Sequence, residues 1–238
     1  MILYQTFFYC KSYLSKCNLS KYDYKKRPLL RGRDIKRYSY EFADLYLIST
    51  FPSLKVDIEI YPAVKQHLLS FGYDRIKQTG DKGARKKTNN KWFETQDAIG
   101  YWDDFSKQKM LWAETMRVHK NKNERFPRFG IEEKGQFVTD KTCFIGTGKD
   151  IKFITAILNS IIGKYLCYQY VSILDDGGFL MQKVYLEKIL IPSFDFKSRQ
   201  NIVNLVNNKS ENFEEQIDKI VIDIIGLSSE EIKFIEFQ

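Results

Sequence analysis

The chain is poor in the residues that build most catalytic centres. It has two histidines and four cysteines in 238 residues. Cys10, Cys17, Cys143 and Cys167 form no Cys-x-x-Cys pair. A structural zinc site needs closely spaced thiolates and imidazoles, so that class is excluded by lack of ligands. The four thiols are expected to stay reduced in a cytosolic core. No Gly-x4-Gly-Lys-Ser/Thr loop cradles a phosphate, and no Ser/His/Asp set is present. Long apolar runs are missing too. The longest candidate, Phe153–Val171, is interrupted by Asn159, Lys164 and Gln169, so no membrane span is expected. Met1 leads into Ile2-Leu3-Tyr4 without a basic region, which predicts no cleavable signal peptide and a cytoplasmic protein. There is no internal repeat or low-complexity tract.

What the chain does have is apolar mass and positive charge. Hydrophobic residues make up 43% and aromatics 15%, a globular composition. The length suits one large domain or one and a half, enough to bury a real core. Net charge is +8, which fits a polyanion partner or an ordinary solvated surface. The charge is uneven. Residues 1–40 hold ten Lys or Arg against Asp23 and Asp34, and Arg75–Lys91 holds seven against Asp81 alone. Asp195–Gln238 reverses the sign, with five basic residues against nine acidic ones. A polyanion would dock on the first two stretches, and a boundary near Asp195–Arg199 follows from the change of sign.

The patterning is mixed α and β. Leu45-Tyr46-Leu47-Ile48 reads as a strand, and Tyr61-Pro62 opens a helix over Ala63–Ser70 that ends before Gly72. Arg75–Lys91 and Arg117–Arg128 read as basic loops, with Trp92–Asp104 as loop plus a short helix. Lys109–Glu114 looks like a buried strand. Phe126–Ile131 and Gln136–Ile145 are expected to pair as strands around Glu133-Lys134-Gly135. Asp150–Tyr170 is the clearest helix, with apolar residues at Phe153, Ile154, Ile157, Leu158, Ile161, Ile162, Tyr165 and Leu166. Gly177-Gly178 is a turn, and Pro192 ends the element Val184–Ile191. Ser198–Asn207 and Asn212–Ile225 read as helices, Gly226 as a C-cap, and Ser228 or Ser229 with Glu231 as a new helix start.

Three motifs suggest catalysis. Phe144-Ile145-Gly146-Thr147-Gly148 matches the FxGxG loop that holds S-adenosylmethionine. A ribose-binding carboxylate is expected some 20 positions on, and none occurs between Asp150 and Asp175. The amino-methyltransferase tetrapeptide Asn/Asp-Pro-Pro-Tyr/Phe is also missing; Ile191-Pro192-Ser193-Phe194 only echoes it. The segment therefore reads as a strand–turn–helix connection. Glu132-Glu133-Lys134 and Glu231-Ile232-Lys233 contain the Glu-x-Lys end of a nuclease metal motif, with Asp103 or Asp104 as partners for the first, but such triplets are frequent by chance in a chain that is 29% charged. His67 reads as a structural or surface residue. His119 sits in a basic loop and suits phosphate or water.

The two basic loops carry better chemistry. The first offers Lys82, Arg85, Lys86, Lys87, Asn89 and Asn90, then Trp92; the second offers His119, Lys120, Lys122 and Arg125. Arg and Lys pair with guanine edges, Asn pairs with adenine, and the remaining cations neutralise phosphates.

The whole arrangement resembles the TaqI-like C-terminal specificity domain. That domain is the target-recognition part of type II, notably type IIG, restriction-modification enzymes and adenine-specific DNA methyltransferases. The residues that carry the likeness begin with Pro28-Leu29-Leu30-Arg31-Gly32-Arg33-Asp34-Ile35 and Tyr38. They continue with Pro62 and His67-Leu68, Gly80-Asp81-Lys82, Trp92, and the strand Lys109-Met110-Leu111-Trp112. Leu158-Asn159-Ser160, Gly177-Gly178-Phe179 and Ile191-Pro192 follow in order, then Ile217-Asp218-Lys219-Ile220-Val221, Gly226-Leu227 and Glu230-Glu231-Ile232. The likeness covers about residues 25–235, and its middle portion also resembles half of a type I specificity subunit. It implies an α+β target-recognition domain over 1–196, a mixed sheet with flanking helices, and a helical extension over 197–238. It further implies recognition of double-stranded DNA for an N6-adenine methyltransferase, with an endonuclease as a further candidate partner. No cofactor is expected in this chain; S-adenosylmethionine and Mg²⁺ belong to the partner catalytic domains or subunit. Members normally carry the methyltransferase upstream, so a fragment, a split gene product or a separate subunit is expected here. Arg31, Arg33, Lys36 and Arg37 are candidates for holding the DNA backbone, with an Arg31–Asp34 ion pair as the alternative for Arg31. A small S-adenosylmethionine-dependent methyltransferase and an assembly subunit that never touches DNA are the competing readings.

Overall fold

A computed structural model describes residues 9–11, 26–97, 99–118 and 125–237. The fold is α+β, several small sheets with helices around them. The chain forms two compact units, each drawn from separate stretches of sequence. The first combines Met1–Leu29, Ala43–Asp103 and Gln136–Val138; the second combines Leu30–Phe42, Asp104–Gly135 and Thr139–Gln238.

The first unit is built on a sheet of order β1-β5-β2-β9, from Tyr9–Lys11 (β1), Lys26–Leu30 (β2), Leu45–Ile48 (β5) and Val138–Thr139 (β9). β5 is the strand expected from its β-branched and aromatic run, and it pairs antiparallel with β1 and β2. Pro62 fills the first helical position of Pro62–Leu69 (α1), where its missing N–H costs nothing. A single turn, Tyr73–Ile76 (α2), follows. Ile48, Val56, Ile58, Leu68, Ile76 and Phe93 make the core.

The second unit contains the hairpin Ile35–Lys36 (β3) and Ser39–Tyr40 (β4) and two three-stranded sheets. One sheet has the order β10-β6-β8, from Lys109–Ala113 (β6), Gly130–Glu132 (β8) and Cys143–Thr147 (β10). The expected hairpin around Glu133-Lys134-Gly135 is corrected here. β8 and β10 do not pair with each other; both flank β6, which is buried along most of its length. The other sheet has the order β11-β12-β7, from Thr115–Arg117 (β7), Ser172–Ile173 (β11) and Gly178–Leu180 (β12). Gly177 takes a positive φ of 79° in the turn that joins β11 to β12, a conformation glycine adopts without penalty.

The long helix expected over Asp150–Tyr170 is two helices, Ile151–Asn159 (α3) and Ile161–Tyr170 (α4). The apolar period runs through the break, so it does not reveal it. The cause is the Leu158-Asn159-Ser160 motif. The buried Asn159 amide accepts from the Phe129 N–H and donates to the Phe129 carbonyl, both at 2.9 Å. Ser160 is extended (ψ 172°), and its hydroxyl accepts from Gly163 N–H as the N-cap of α4. Lys183–Leu186 (α5), Phe196–Asn208 (α6), Phe213–Ile225 (α7) and Ser229–Glu236 (α8) complete the unit. Ser228 and Glu231 form a reciprocal capping box on α8. The C-terminal helices share one core with α3 and α4, in which Phe153, Ile157 and Ile162 meet Ile202, Val206, Ile217 and Val221. The compact units therefore do not divide at residue 196, where the charge changes sign. Among the described residues, no helix is long and apolar enough to cross a membrane.

Candidate nucleic-acid interface

The second unit has a cleft of about 660 Å³. The segment after β2 makes one wall. Arg31 closes a tight turn by donating from its backbone and its guanidinium to the Asp34 carboxylate, which is buried. Gly32 N–H donates to Thr142 Oγ1 at 3.0 Å, and a Cβ at Gly32 would lie 3.2 Å from Ala113 Cβ and from Thr142 oxygens. Only glycine brings this segment so close to β6. The turn leaves Arg33 exposed and places it, with Lys36, on the cleft. The rest of the lining includes the junction of β6 and β7, with Glu114 and Arg117, together with Arg128 and Asp176. Arg117 is ion-paired with Asp176, and Arg128 donates to the Arg117 carbonyl at 3.0 Å. Lys36 has a loose partner in the exposed Glu41, at 3.6 Å. Among the described residues the cleft thus carries four cations and two carboxylates.

The first unit presents its own basic surface, the Arg75–Lys91 loop. The loop is ordered by side chains that turn inward. Arg85 is 4% exposed and donates to the carbonyls of Ile76 (2.6 Å), Trp92 (2.5 Å) and Glu94 (3.0 Å). Burial pulls its pKa down to about 10. Gln78, also buried, donates to the carbonyls of Lys91 and Glu94 and accepts from Thr88. On this frame Lys82, Lys86, Lys87 and Asn89 are exposed, as is Arg75. No described carboxylate forms an ion pair with Arg75, Lys82, Lys86 or Lys87.

Several sequence expectations need correction. Arg85 shapes the loop from inside and does not face outward. Asn90 spends its amide on the carbonyls of Thr95 and Gln96. Trp92 is half-buried, packed edge-on against Phe93 and Tyr73. Arg31 is committed to Asp34. Arg37 is committed as well, to Glu214 of α7 (3.0 Å from Nε) and to the carbonyls of Pro127 and Asn159. Arg125 is half-exposed but pairs with Glu214 and Glu215, and it holds the Glu215 carboxyl below its ordinary range. The positions expected to face a ligand and found exposed or on the cleft are Arg33, Lys36, Lys82, Lys86, Lys87 and Asn89, with Arg125 exposed but ion-paired. His119, Lys120 and Lys122 lie outside the described residues. The sequence reading missed Glu114 and Asp176 as cleft residues. Its one usable signal was a carboxylate ending the buried strand Lys109–Glu114.

The motifs that suggested catalysis take structural roles. Glu132 is fully buried and paired with Lys109, whose ammonium also donates to the Phe105 carbonyl. Glu133 pairs with Lys152, and Asp104 with Lys107. Among the described residues no group of three His, Cys, Asp or Glu is placed to hold a metal ion. Phe144 of the FxGxG segment stacks on Trp112, with centroids 5.5 Å apart.

No protein-family model matches the chain, and no curated protein is similar to it. Among solved structures, it is similar to the Type IIL restriction-modification enzyme MmeI in complex with DNA. The TM-score is 0.56 and the identity 10%, over 97% of this chain and 34% of that one. The fold is related to that of a restriction-modification enzyme. The chain spans about a third of the length of MmeI.

Proposed function

We propose that this chain is the sequence-specific DNA recognition module of a restriction-modification system. It holds double-stranded DNA for an N6-adenine methyltransferase or an endonuclease carried on a partner domain or subunit. The likeness to TaqI-like specificity domains and the fold shared with part of MmeI, a protein solved on DNA, support the reading. The observation that carries it is the cleft of the second unit. It brings the Arg31–Asp34 turn, the end of β7 and Arg128 together, so that Arg33, Lys36, Arg117 and Arg128 surround one recess. Exposed cations beside hydrogen-bonding groups on rigid elements are what duplex recognition requires, because phosphate contacts position a protein and polar side chains read base edges. The Lys82–Asn89 surface of the first unit adds phosphate contacts. The chain itself needs no cofactor under this reading; S-adenosylmethionine and Mg²⁺ act in the partner, and the protein works in the cytoplasm.

The test is duplex binding as a function of salt, followed by fluorescence anisotropy. The logarithm of the binding constant falls linearly with the logarithm of salt concentration, as counterions are released. Arg33→Ala and Lys86→Ala each reduce the slope by about one without changing which duplexes are preferred. No binding at about 50 mM salt, or slopes that neither variant alters, contradicts the proposal.

A further inference from the structure

Glu114 sits where the chain leaves one sheet and enters another. β6 ends at Ala113 and β7 begins at Thr115. The backbone between them is fixed on both sides: Glu114 N–H donates to the Thr142 carbonyl at 2.8 Å, and the Glu114 carbonyl accepts from Met181 N–H at 2.7 Å. Its side chain is half-buried on the cleft. No described group donates to its carboxylate. Asp176, the other carboxylate of the cleft, is occupied by Arg117 and by the Gly178 N–H at 3.0 Å. Among the described residues the recess therefore holds one carboxylate without a partner, beside four cations.

That arrangement selects a ligand. A carboxylate only accepts hydrogen bonds, so a site meant for phosphate alone would be weakened by it. Four cations around it disfavour a metal ion. A ligand that suits both carries negative charge along its flanks and a hydrogen-bond donor at one point. A duplex groove is such a ligand. Its phosphates are anionic, and its bases present exocyclic amino donors, cytosine N4 and adenine N6, in the major groove. The same carboxylate repels the acceptor edges of guanine and thymine, so it discriminates by rejection as well as by attraction.

We infer that Glu114 is a specificity-determining residue that accepts a hydrogen bond from the exocyclic amino group of one cytosine or adenine in the recognised DNA. The inference rests on the duplex-recognition reading above. It is tested by parallel selection from a randomised duplex pool with the wild-type chain, Glu114→Gln and Glu114→Ala, each checked by thermal melting. The wild type enriches a motif with cytosine or adenine at one position. Glu114→Gln moves that position toward adenine, which a glutamine amide contacts at N6 and N7. Glu114→Ala lowers the preference there by about tenfold and leaves the other positions intact. The same motif from all three proteins overturns the inference. So does tighter binding of every duplex by both variants with no positional change, which marks a carboxylate that only repels phosphate. If the wild type enriches nothing, the duplex-recognition reading itself fails, an outcome distinct from a motif indifferent to residue 114. The glutamine variant is isosteric, so the inference stays falsifiable if the alanine variant does not fold.

Discussion

The Arg85 guanidinium donates to three carbonyls from inside the loop that carries Lys82, Lys86, Lys87 and Asn89. It is a buried structural cation among exposed ones, and the two kinds respond differently to truncation. Arg85→Ala strands buried carbonyls, each costing about 1 to 3 kcal/mol, so a loss of about 2 to 4 kcal/mol is expected. Lys87→Ala, at an exposed position, changes stability by no more than about 0.5 kcal/mol and weakens DNA binding. Urea unfolding of the two variants checks this; equal midpoints contradict it. A charge count treats Arg85, Lys86 and Lys87 alike because they are adjacent and basic. What separates them is tertiary. The carbonyls of Ile76, Trp92 and Glu94 converge on position 85 only after the loop has closed on itself, and no local pattern encodes that. Arg37 escaped the sequence reading for the same reason, since its partner Glu214 lies 177 residues away.

At the scale of elements, β5, α1, β6, α6 and α7 were legible because the pattern of each has one solution. The Asp150–Tyr170 segment was legible as helix but not as two helices. Hydrophobic period reports which face is buried, not whether the axis continues. The break follows from Asn159 and Ser160, whose polar groups compete with the helix for backbone partners. Asp218 reinforces it from α7 by accepting the Ile161 N–H at 2.7 Å, at the start of α4. Burial raises the Asp218 pKa to about 6, against the opposing pull of that hydrogen bond and of Arg37. The folded chain therefore holds this proton more tightly than the unfolded chain between about pH 4 and pH 6. The contribution to stability is fully present below that window and is lost as pH rises through it. Asp218→Asn keeps an oxygen for Ile161 and removes the titration. Its melting temperature, relative to wild type, is expected to rise from pH 4 to pH 6.5, by the equivalent of at most about 3 kcal/mol. A difference that does not vary with pH contradicts this.

At the scale of the whole molecule, the reversal of charge near residue 195 marks complementarity within the second unit. Glu214 and Glu215 of α7 pair with Arg37 and Arg125, and Lys209 donates to the Tyr38 carbonyl at 2.9 Å. The acidic tail thus neutralises part of the basic stretch that opens the chain. Arg33 on the cleft and Arg75, Lys82, Lys86 and Lys87 on the loop stay exposed. The fold class and the existence of two basic surfaces were legible from composition and motif order. The cleft was not, because its lining comes from stretches far apart in sequence, around Arg33, Glu114, Arg128 and Asp176. The central claim is that the chain reads DNA sequence by itself. Selection of bound duplexes from a randomised pool at several salt concentrations tests it most directly. One enriched motif is expected, persisting as salt rises and overall affinity falls. Retention of duplexes with no enriched motif, or no retention at all, contradicts it.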